Sequence, residues 1–343
     1  MKKLSICIPT YNRRNELINC LNSIYIAHKE FNKFDFDICI SDNGSNYNIL
    51  NTVKYFKKKF KKKIRIKFNK FRFNQGVSKN FLKVISMSNS EFIWAIGDDD
   101  LILPKTLRKI DKIFKKNADA EFFFINSYNL DSSYLEKHSS PFDTRYLPKH
   151  MSPFSKKKDS KKMDFFDLID PNVSMDFLMG IYFSIFKREK WNKNLKVLNK
   201  RLIKDTRWLS NFDNSCFNIK VFVEAFRESK VFFQSDPLSV NLSGSRNWKN
   251  IYYFLEIIRF PEMLDYYRTK GMGFFRYIYC KNFALRNFSN YMLKIYLNRK
   301  EESGWEYINF YRHILVNLIY PNVYLSLVYF LLRKMKNIVY SFK

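Results

Sequence analysis

Three consecutive carboxylates, Asp98-Asp99-Asp100, end an apolar run that starts at Phe92, and Leu101-Ile102-Leu103-Pro104 follows them. Adjacent acids repel strongly where water is excluded, so a fold that sets them at the mouth of a sheet calls for a cation. Oxygen ligands suit Mg2+ or Mn2+, and such ions bind through one or two carboxylates plus substrate phosphates. The competing reading is a solvated loop in which an Asp caps the next helix. Two further polar clusters stand where apolar runs stop. Thr10-Tyr11-Asn12-Arg13 follows the run 4–9, and Asp42-Asn43 follows the run 36–40.

The elements that position these clusters follow from periodicity. Strands are predicted at 4–9, 36–40, 64–68, 92–96 and 121–125. Between them apolar residues recur at helical spacing: Leu17, Leu21 and Ile24; Ile49, Val53, Phe56 and Phe60; Val77, Phe81, Val84 and Ile85; Leu107, Ile110 and Phe114. Pro104 suits the first turn of the last of these helices. Strand–helix alternation of this length predicts an α/β domain with a largely parallel sheet. In such sheets ligands sit outside the carboxyl ends of the strands, which brings the three polar clusters into one crevice. No Gly-x-Gly-x-x-Gly follows the first strand and no Gly-Lys-Ser/Thr phosphate loop occurs, so side chains and a metal must hold any nucleotide.

The remainder divides by composition. Residues 131–163, rich in Ser, Pro, Lys and His, read as a surface insertion, and 164–248 form a second half with a last strand at 231–233. From Trp248 the chain reads as helices only, and 249–343 form a helical region. Its most apolar strip, 314–332, is interrupted by Asn317, Pro321 and Asn322, short of the roughly 20 apolar residues of a clean span. Arg333, Lys334, Lys336 and Lys343 follow it, a layout suited to an interfacial helix pair on an inner leaflet or to helices packed on the domain.

The chain has 343 residues, is 46% hydrophobic and carries a formal charge of +29. The apolar fraction excludes disorder; the charge invites an anionic partner, although Lys- and Asn-rich usage also tracks A/T-rich codons. Five Cys without paired spacing suit a reducing cytoplasm, four scattered His argue against a His-based zinc site, and no signal-peptide pattern precedes the first strand.

Ile8-Pro9-Thr10-Tyr11-Asn12-Arg13, Ser41-Asp42-Asn43-Gly44-Ser45, Asn74-Gln75-Gly76-Val77-Ser78-x-Asn80 and Gly97-Asp98-Asp99-Asp100, in this order and spacing, resemble the family 2 glycosyltransferases, nearest to the bacterial branch that includes abequosyltransferases. The resemblance covers residues 1–130 well and 175–248 weakly. It implies a GT-A fold (a Rossmann-like, mainly parallel sheet flanked by helices), here with a C-terminal helical extension. It also implies a nucleotide-diphosphate sugar donor, Mn2+ or Mg2+, and inversion at the anomeric carbon. By position, Pro9, Thr10, Tyr11 and Arg13 line the nucleotide pocket, and Asp42 with Asn43 meets the base. Asn74 and Gly76 shape the sugar–diphosphate side. Asp98, Asp99 and Asp100 take the metal and the donor's ribose or diphosphate, Asp99 and Asp100 first, and Arg246 and Trp248 close over the donor. The commoner pattern is Leu-Asp-x-Asp-Asp; Gly97 stands where its first Asp would be.

The mechanism so implied needs a carboxylate across the crevice to take the acceptor's proton. Asp213 and Asp205 are the candidates, then Asp176; Asp213 heads a predicted helix from Ser215, where an N-cap is the alternative role. Gly180 and Phe186-Lys187-Arg188 resemble the acceptor-side segment. The expected enzyme is an inverting hexosyl- or deoxyhexosyltransferase for a surface glycan (lipooligosaccharide, O-antigen or capsule), peripheral on the cytoplasmic face of the membrane. UDP is the default donor nucleotide, with CDP and dTDP open, and the acceptor is a glycan or lipid-linked glycan. The alternative is a non-enzymatic basic protein that binds nucleic acid or anionic membrane. Such a protein gives no reason for three acids at a strand end, and no nucleic-acid motif is present. A nucleotidyltransferase would want a Gly- and Lys/Arg-rich triphosphate loop near the start, which is missing.

Overall fold

The computed structural model describes residues 2–61, 63–244 and 249–341. Its centre is one ten-stranded sheet. The strands are β1 (Leu4–Thr10), β2 (Phe36–Asp42), β3 (Ile66–Lys70), β4 (Phe92–Ala95), β5 (Leu101–Ile102), β6 (Phe122–Asp131), β7 (Ser152–Pro153), β8 (Lys161–Asp164), β9 (Ser184–Lys187) and β10 (Lys230–Ser243). The main order is β3-β2-β1-β4-β9-β6-β10-β5, with β7 on β6 and β8 on β10. Strands β3, β2, β1 and β4 run parallel. They are joined by α1 (Arg14–Glu30), α2 (Ile49–Lys59) and α3 (Val77–Ser86), and α4 (Thr106–Lys116) follows β5. β1, β2 and β4 are buried along their whole length, as strands covered by helices on both faces must be.

The parallel half agrees with the sequence expectation; the other half departs from it. β9 lies antiparallel between β4 and β6, a long-range pairing that strand-by-strand periodicity cannot reveal. The expected strand at 231–233 is the start of a fourteen-residue strand, which pairs with β6 on both sides of an irregularity between Gln234 and Ser239. The third strand starts two residues later than expected, and α4 starts at Thr106 rather than at Pro104. Segment 131–163 is more than an insertion, because β7 and β8 are stitched onto β6 and β10.

The sheet separates two cores. One holds α1, α2 and α4 against Ile6, Ile38, Trp94 and Phe123. The other gathers Phe122, Phe124 and Phe186 with α5 (Phe217–Phe226). It continues into Phe260, Leu264 and Tyr267 of α6 (Phe260–Thr269) and Cys280 of α7 (Phe274–Ala284). These middle helices are therefore packed on the domain. Beyond them, α8 (Phe288–Leu297) and α9 (Pro321–Ser341) form a smaller unit around Leu255, Ile258, Ile295 and Val323. Among the described residues no single helix is long and apolar enough to cross a membrane. The segments Phe310–Ile319 and Pro321–Arg333, bent by 93° at their junction, have the length and composition only as a pair. All five Cys are buried and free; Cys7 and Cys39 face each other in register on β1 and β2.

Candidate functional site

A cavity of about 240 Å3 opens at the carboxyl ends of β1, β2 and β4. Pro9, Thr10, Tyr11, Arg13, Asn43, Asn74, Gly76, Asp98 and Asp99 line it, so it unites residues from all the polar clusters read from the sequence. The left-handed Asn12 (φ 53) turns the chain sharply after β1. Its side-chain oxygen accepts from Asn46 N–H at 2.9 Å, and its own N–H donates to Ser45 Oγ at 2.8 Å. Asn43 Nδ2 donates to Asn74 Oδ1 at 2.8 Å while Asn43 Oδ1 accepts from Gln75 N–H at 2.9 Å. Gly76 heads α3 with φ +86, and a Cβ there would lie 3.3 Å from Thr206 Cα. This close approach brings the second half of the chain to the cavity's edge, where Thr206 joins the lining.

The acids divide. Asp100 Oδ2 accepts from Gly97 N–H at 2.7 Å and Oδ1 from Asn241 Nδ2 at 2.9 Å. It is turned into the protein, away from the cavity lining. Asp99 Oδ2 accepts from Arg13 Nη1 at 2.9 Å, and the same nitrogen lies 3.6 Å from Asp98 Oδ1. Asp98 Oδ2 is buried with no hydrogen-bond partner. Burial, with the neighbouring Asp99 charge, pushes Asp98 up to about 7 against the pull of Arg13. Gly97 leaves room for this arrangement, because a Cβ would stand 2.6 Å from Asp99 Oδ1 and 2.9 Å from Asp100 Oδ2 and both carboxylates would have to shift. Of the expected triplet, Asp98 and Asp99 thus line the cavity and Asp100 does not. Among the described residues no three His, Cys, Asp or Glu side chains converge as a metal site, and Asp100 instead braces the turn. Two buried carboxylates sharing one arginine, one of them with an orphaned oxygen, fit an ion that completes its shell with substrate phosphates.

Asp42 lies below the cavity rather than on its wall. It is fully buried; Oδ1 accepts from Ser45 N–H at 2.9 Å, and Lys70 Nζ lies 3.9 Å from Oδ2. Asn80, quoted in the sequence motif but not singled out, does line the wall, with an unpartnered Oδ1.

On the far side the three expected bases are all occupied. Asp213 accepts from Lys220 Nζ at 2.9 and 3.1 Å and from Asn199 N–H at 2.7 Å. It is buried and does not line the cavity. Nor is it a cap: Asn211 caps the single turn Phe212–Ser215, its side chain accepting from Asn214 N–H. Asp213, expected as the leading base, is held in an ion pair with Lys220 away from the cavity lining. Asp176 closes its own turn, accepting from Ser174 Oγ at 2.7 Å and Gly180 N–H at 2.8 Å. Asp205 directly precedes the cavity-lining Thr206, and its carboxylate is held by Arg207 at 2.8 and 3.0 Å. That bond holds Asp205 well below the usual carboxylate range. Arg246 and Trp248 lie outside the described residues.

The loop that carries Asp205 is gripped by its carbonyls. Asn214 Nδ2 donates to Asp205 O at 2.6 Å and to Arg207 O at 2.8 Å. Ser215 Oγ donates to Trp208 O at 2.8 Å. Arg259, at the end of the π-helical turn Leu255–Arg259, reaches Leu209 O and Ser215 Oγ while paired to buried Glu262. Leu209 and Ser215 lie 50 and 44 residues from Arg259, so no local pattern announced them.

Sheet order, strand-end crevice and paired acids define an α/β protein with its site at the strand ends, and the comparisons specify it. The chain belongs to glycosyl transferase family 2, whose model matches residues 5–190. It is 34% identical over 116 residues to abequosyltransferase RfbV of Salmonella typhimurium; the match spans 34% of this chain and only about a third (34%) of that relative. It is 27% identical over 280 residues to the GalNAc(5)-diNAcBac-PP-undecaprenol beta-1,3-glucosyltransferase of Campylobacter jejuni, covering 76% of this chain and 75% of the relative. Staphylococcus aureus TarS 1-349 in complex with UDP-GlcNAc superposes with a TM-score of 0.56 at 16% identity, over 84% of this chain and 73% of that one. Mannosyltransferase PcManGT from Pyrobaculum calidifontis, in complex with GDP-Man and Mn2+, gives 0.51 at 11% identity, over 88% and 76%. The fold is GT-A with a C-terminal helical region.

Proposed function

We propose that this chain is an inverting glycosyltransferase that moves a sugar from a nucleotide-diphosphate donor to a hydroxyl of a bacterial surface glycan. The observation that carries the reading is the strand-end cavity with two buried carboxylates, Asp98 and Asp99, that share Arg13. Tyr11 and Pro9 offer apolar surface to a base, Asn43, Asn74 and Asn80 offer amides to ribose and sugar hydroxyls, and Arg13 offers a guanidinium to phosphate oxygens. Asp98 and Asp99 are the residues that would hold Mg2+ or Mn2+, whose charge offsets that of the departing diphosphate. The donor nucleotide is proposed as UDP, CDP or dTDP.

Asp205 is proposed as the base. The acceptor oxygen forms its bond to the anomeric carbon as the carbon–oxygen bond to the diphosphate breaks. The diphosphate keeps the electron pair and the acceptor's proton passes to Asp205. Arg207 is exposed, so solvent screens its hold on Asp205, and an acceptor that displaces the guanidinium returns the carboxylate toward its ordinary range. The division into a catalytic part, 1–248, and a helical part, 249–343, is proposed with the second part seating on the inner face of the membrane beside a glycan or lipid-linked acceptor. The exposed Leu327, Val328, Leu331 and Leu332 support that seat. With Mn2+ and a panel of UDP-, CDP- and dTDP-sugars, purified protein should release one nucleoside diphosphate. The sugar first formed, followed by proton NMR, should have the anomeric configuration opposite to the donor's. Retention of configuration, or no turnover with any donor, would refute the reading.

A further inference from the structure

Between α8 and α9 lies a second cavity, about 320 Å3, separate from the strand-end site. Arg286, Asn290, Lys294, Ser326, Tyr329 and Arg333 line it. Its composition is one-sided. Arg286 is paired at 2.9 Å to Glu256, a buried acid that also accepts from Asn287. Lys294 and Arg333 have no carboxylate partner among the described residues. Lys294 Nζ instead sits 4.5 Å over the Tyr253 ring and 5.5 Å from the Tyr291 ring. Such rings fix the ammonium without neutralising it. Residues 307–343 contain no Asp or Glu at all.

The cavity's neighbour is apolar. Helix α9 rests on α8 through Val323 and Ser326, whose hydroxyl pairs with Ser289 Oγ at 2.9 Å. That leaves Leu325, Leu327, Val328, Leu331, Leu332 and Met335 exposed on its other faces. An apolar helix face flanked by unpaired cations is the layout of an element lying in a membrane interface, where aliphatic chains enter the acyl boundary and cations meet phosphates. A protein partner would have to supply an apolar groove and an acidic rim together; an anionic leaflet supplies both everywhere.

We infer that the cavity between α8 and α9 receives the phosphate of an anionic phospholipid headgroup, with Lys294 and Arg333 as its charged contacts and Asn290 as a donor, while the outer face of α9 lies in the leaflet. The inference rests on the membrane seat proposed above and not on the donor site. It orients the molecule: the α8–α9 edge faces the bilayer.

Vesicle flotation tests it. Each Lys or Arg held at an anionic surface contributes about fivefold in affinity. The full chain should bind vesicles of phosphatidylcholine with about a quarter phosphatidylglycerol at least about thirtyfold more tightly than phosphatidylcholine alone. The double variant Lys294→Gln/Arg333→Gln should lose about thirtyfold on the anionic vesicles and keep its weak binding to neutral ones. The charge-matched pair Lys109→Gln/Lys112→Gln, on the exposed face of α4, should change anionic binding by no more than about twofold. Unchanged thermal melting of both variants shows that they are folded; Arg333→Gln alone, which removes no ion pair, serves if the double variant melts early. Equal losses in the two charge-matched pairs, or no loss at Lys294 and Arg333, overturn the cavity assignment while leaving the membrane seat standing. Failure of the folded parent to float with either vesicle overturns both, and a retained UDP titration would separate that failure from one of the donor site.

Discussion

Carboxylates occur on both sides of the strand-end cavity, and the two sides treat them differently. On the donor side Asp98 and Asp99 share one arginine, and one oxygen has no partner. On the far side Asp213 has a lysine and a backbone N–H, and Asp176 has a hydroxyl and a backbone N–H. A buried carboxylate that is fully satisfied stabilises a fold; one left short is poised for a ligand. Asp205, beside the cavity-lining Thr206, accepts from the exposed Arg207 guanidinium and from Arg207 N–H at 3.0 Å.

The sharpest way to break this contrast is to exchange the roles of Asp205 and Asp213. Asp205→Asn should lower the rate of transfer by about 10²–10⁴-fold, with nucleotide affinity changed less than about twofold. Asp213→Ala should do the reverse. It leaves the half-buried Lys220 without its partner and should cost about 1–3 kcal/mol of stability, read by denaturant melting, with turnover per folded molecule retained. A smaller effect is expected at Gly76, whose φ of +86 and contact with Thr206 Cα resist a side chain. Gly76→Ala should cost about 1–3 kcal/mol of strain and weaken donor binding measurably, because the turn sets the distance between the two halves.

The smallest expected effect concerns pH. Burial would raise Glu262, but the hydrogen bond from His313 and the charges of Arg259 and Arg312 overcome it and hold its carboxyl below the ordinary value. A depressed acid contributes stability that is present above its unfolded value, about 4.3, and is lost as pH falls through the folded value. Melting should therefore soften below about pH 4.3 in the parent, and Glu262→Gln should flatten that limb. A parent whose acid limb is unchanged by the substitution would show that Glu262 is not held as described.

How much was legible follows the same division. The donor side was readable because its signals are local: an apolar run, then a polar cluster, repeated at successive strands, with the strand-end rule joining them. The four motifs carried the family as well. The triplet misled in one respect, since adjacency in sequence does not make three side chains point one way; Gly97 and Asn241 turn Asp100 inward. The far side was poorly legible because its acids are assigned by distant partners. Asn199 lies 14 residues before Asp213, and Arg259 reaches the Asp205 loop from the helical region. The antiparallel β9 escaped for the same reason, its register being set by β4 and β6 rather than by its own four residues.

The central claim is that the pair Asp98–Asp99, with its orphaned Asp98 oxygen, is a metal-assisted diphosphate site. Calorimetric titration of the purified protein with UDP, CDP, dTDP and GDP, each with and without Mn2+, tests it most directly, repeated on Asp99→Asn. Loss of even an outer partner of a bound metal costs about 10–100-fold, so the variant should lose at least that much. The account predicts metal-dependent binding of one diphosphate that Asp99→Asn abolishes. Binding of no diphosphate by folded protein, or equal binding with Asp99 and with Asn in its place, would contradict it.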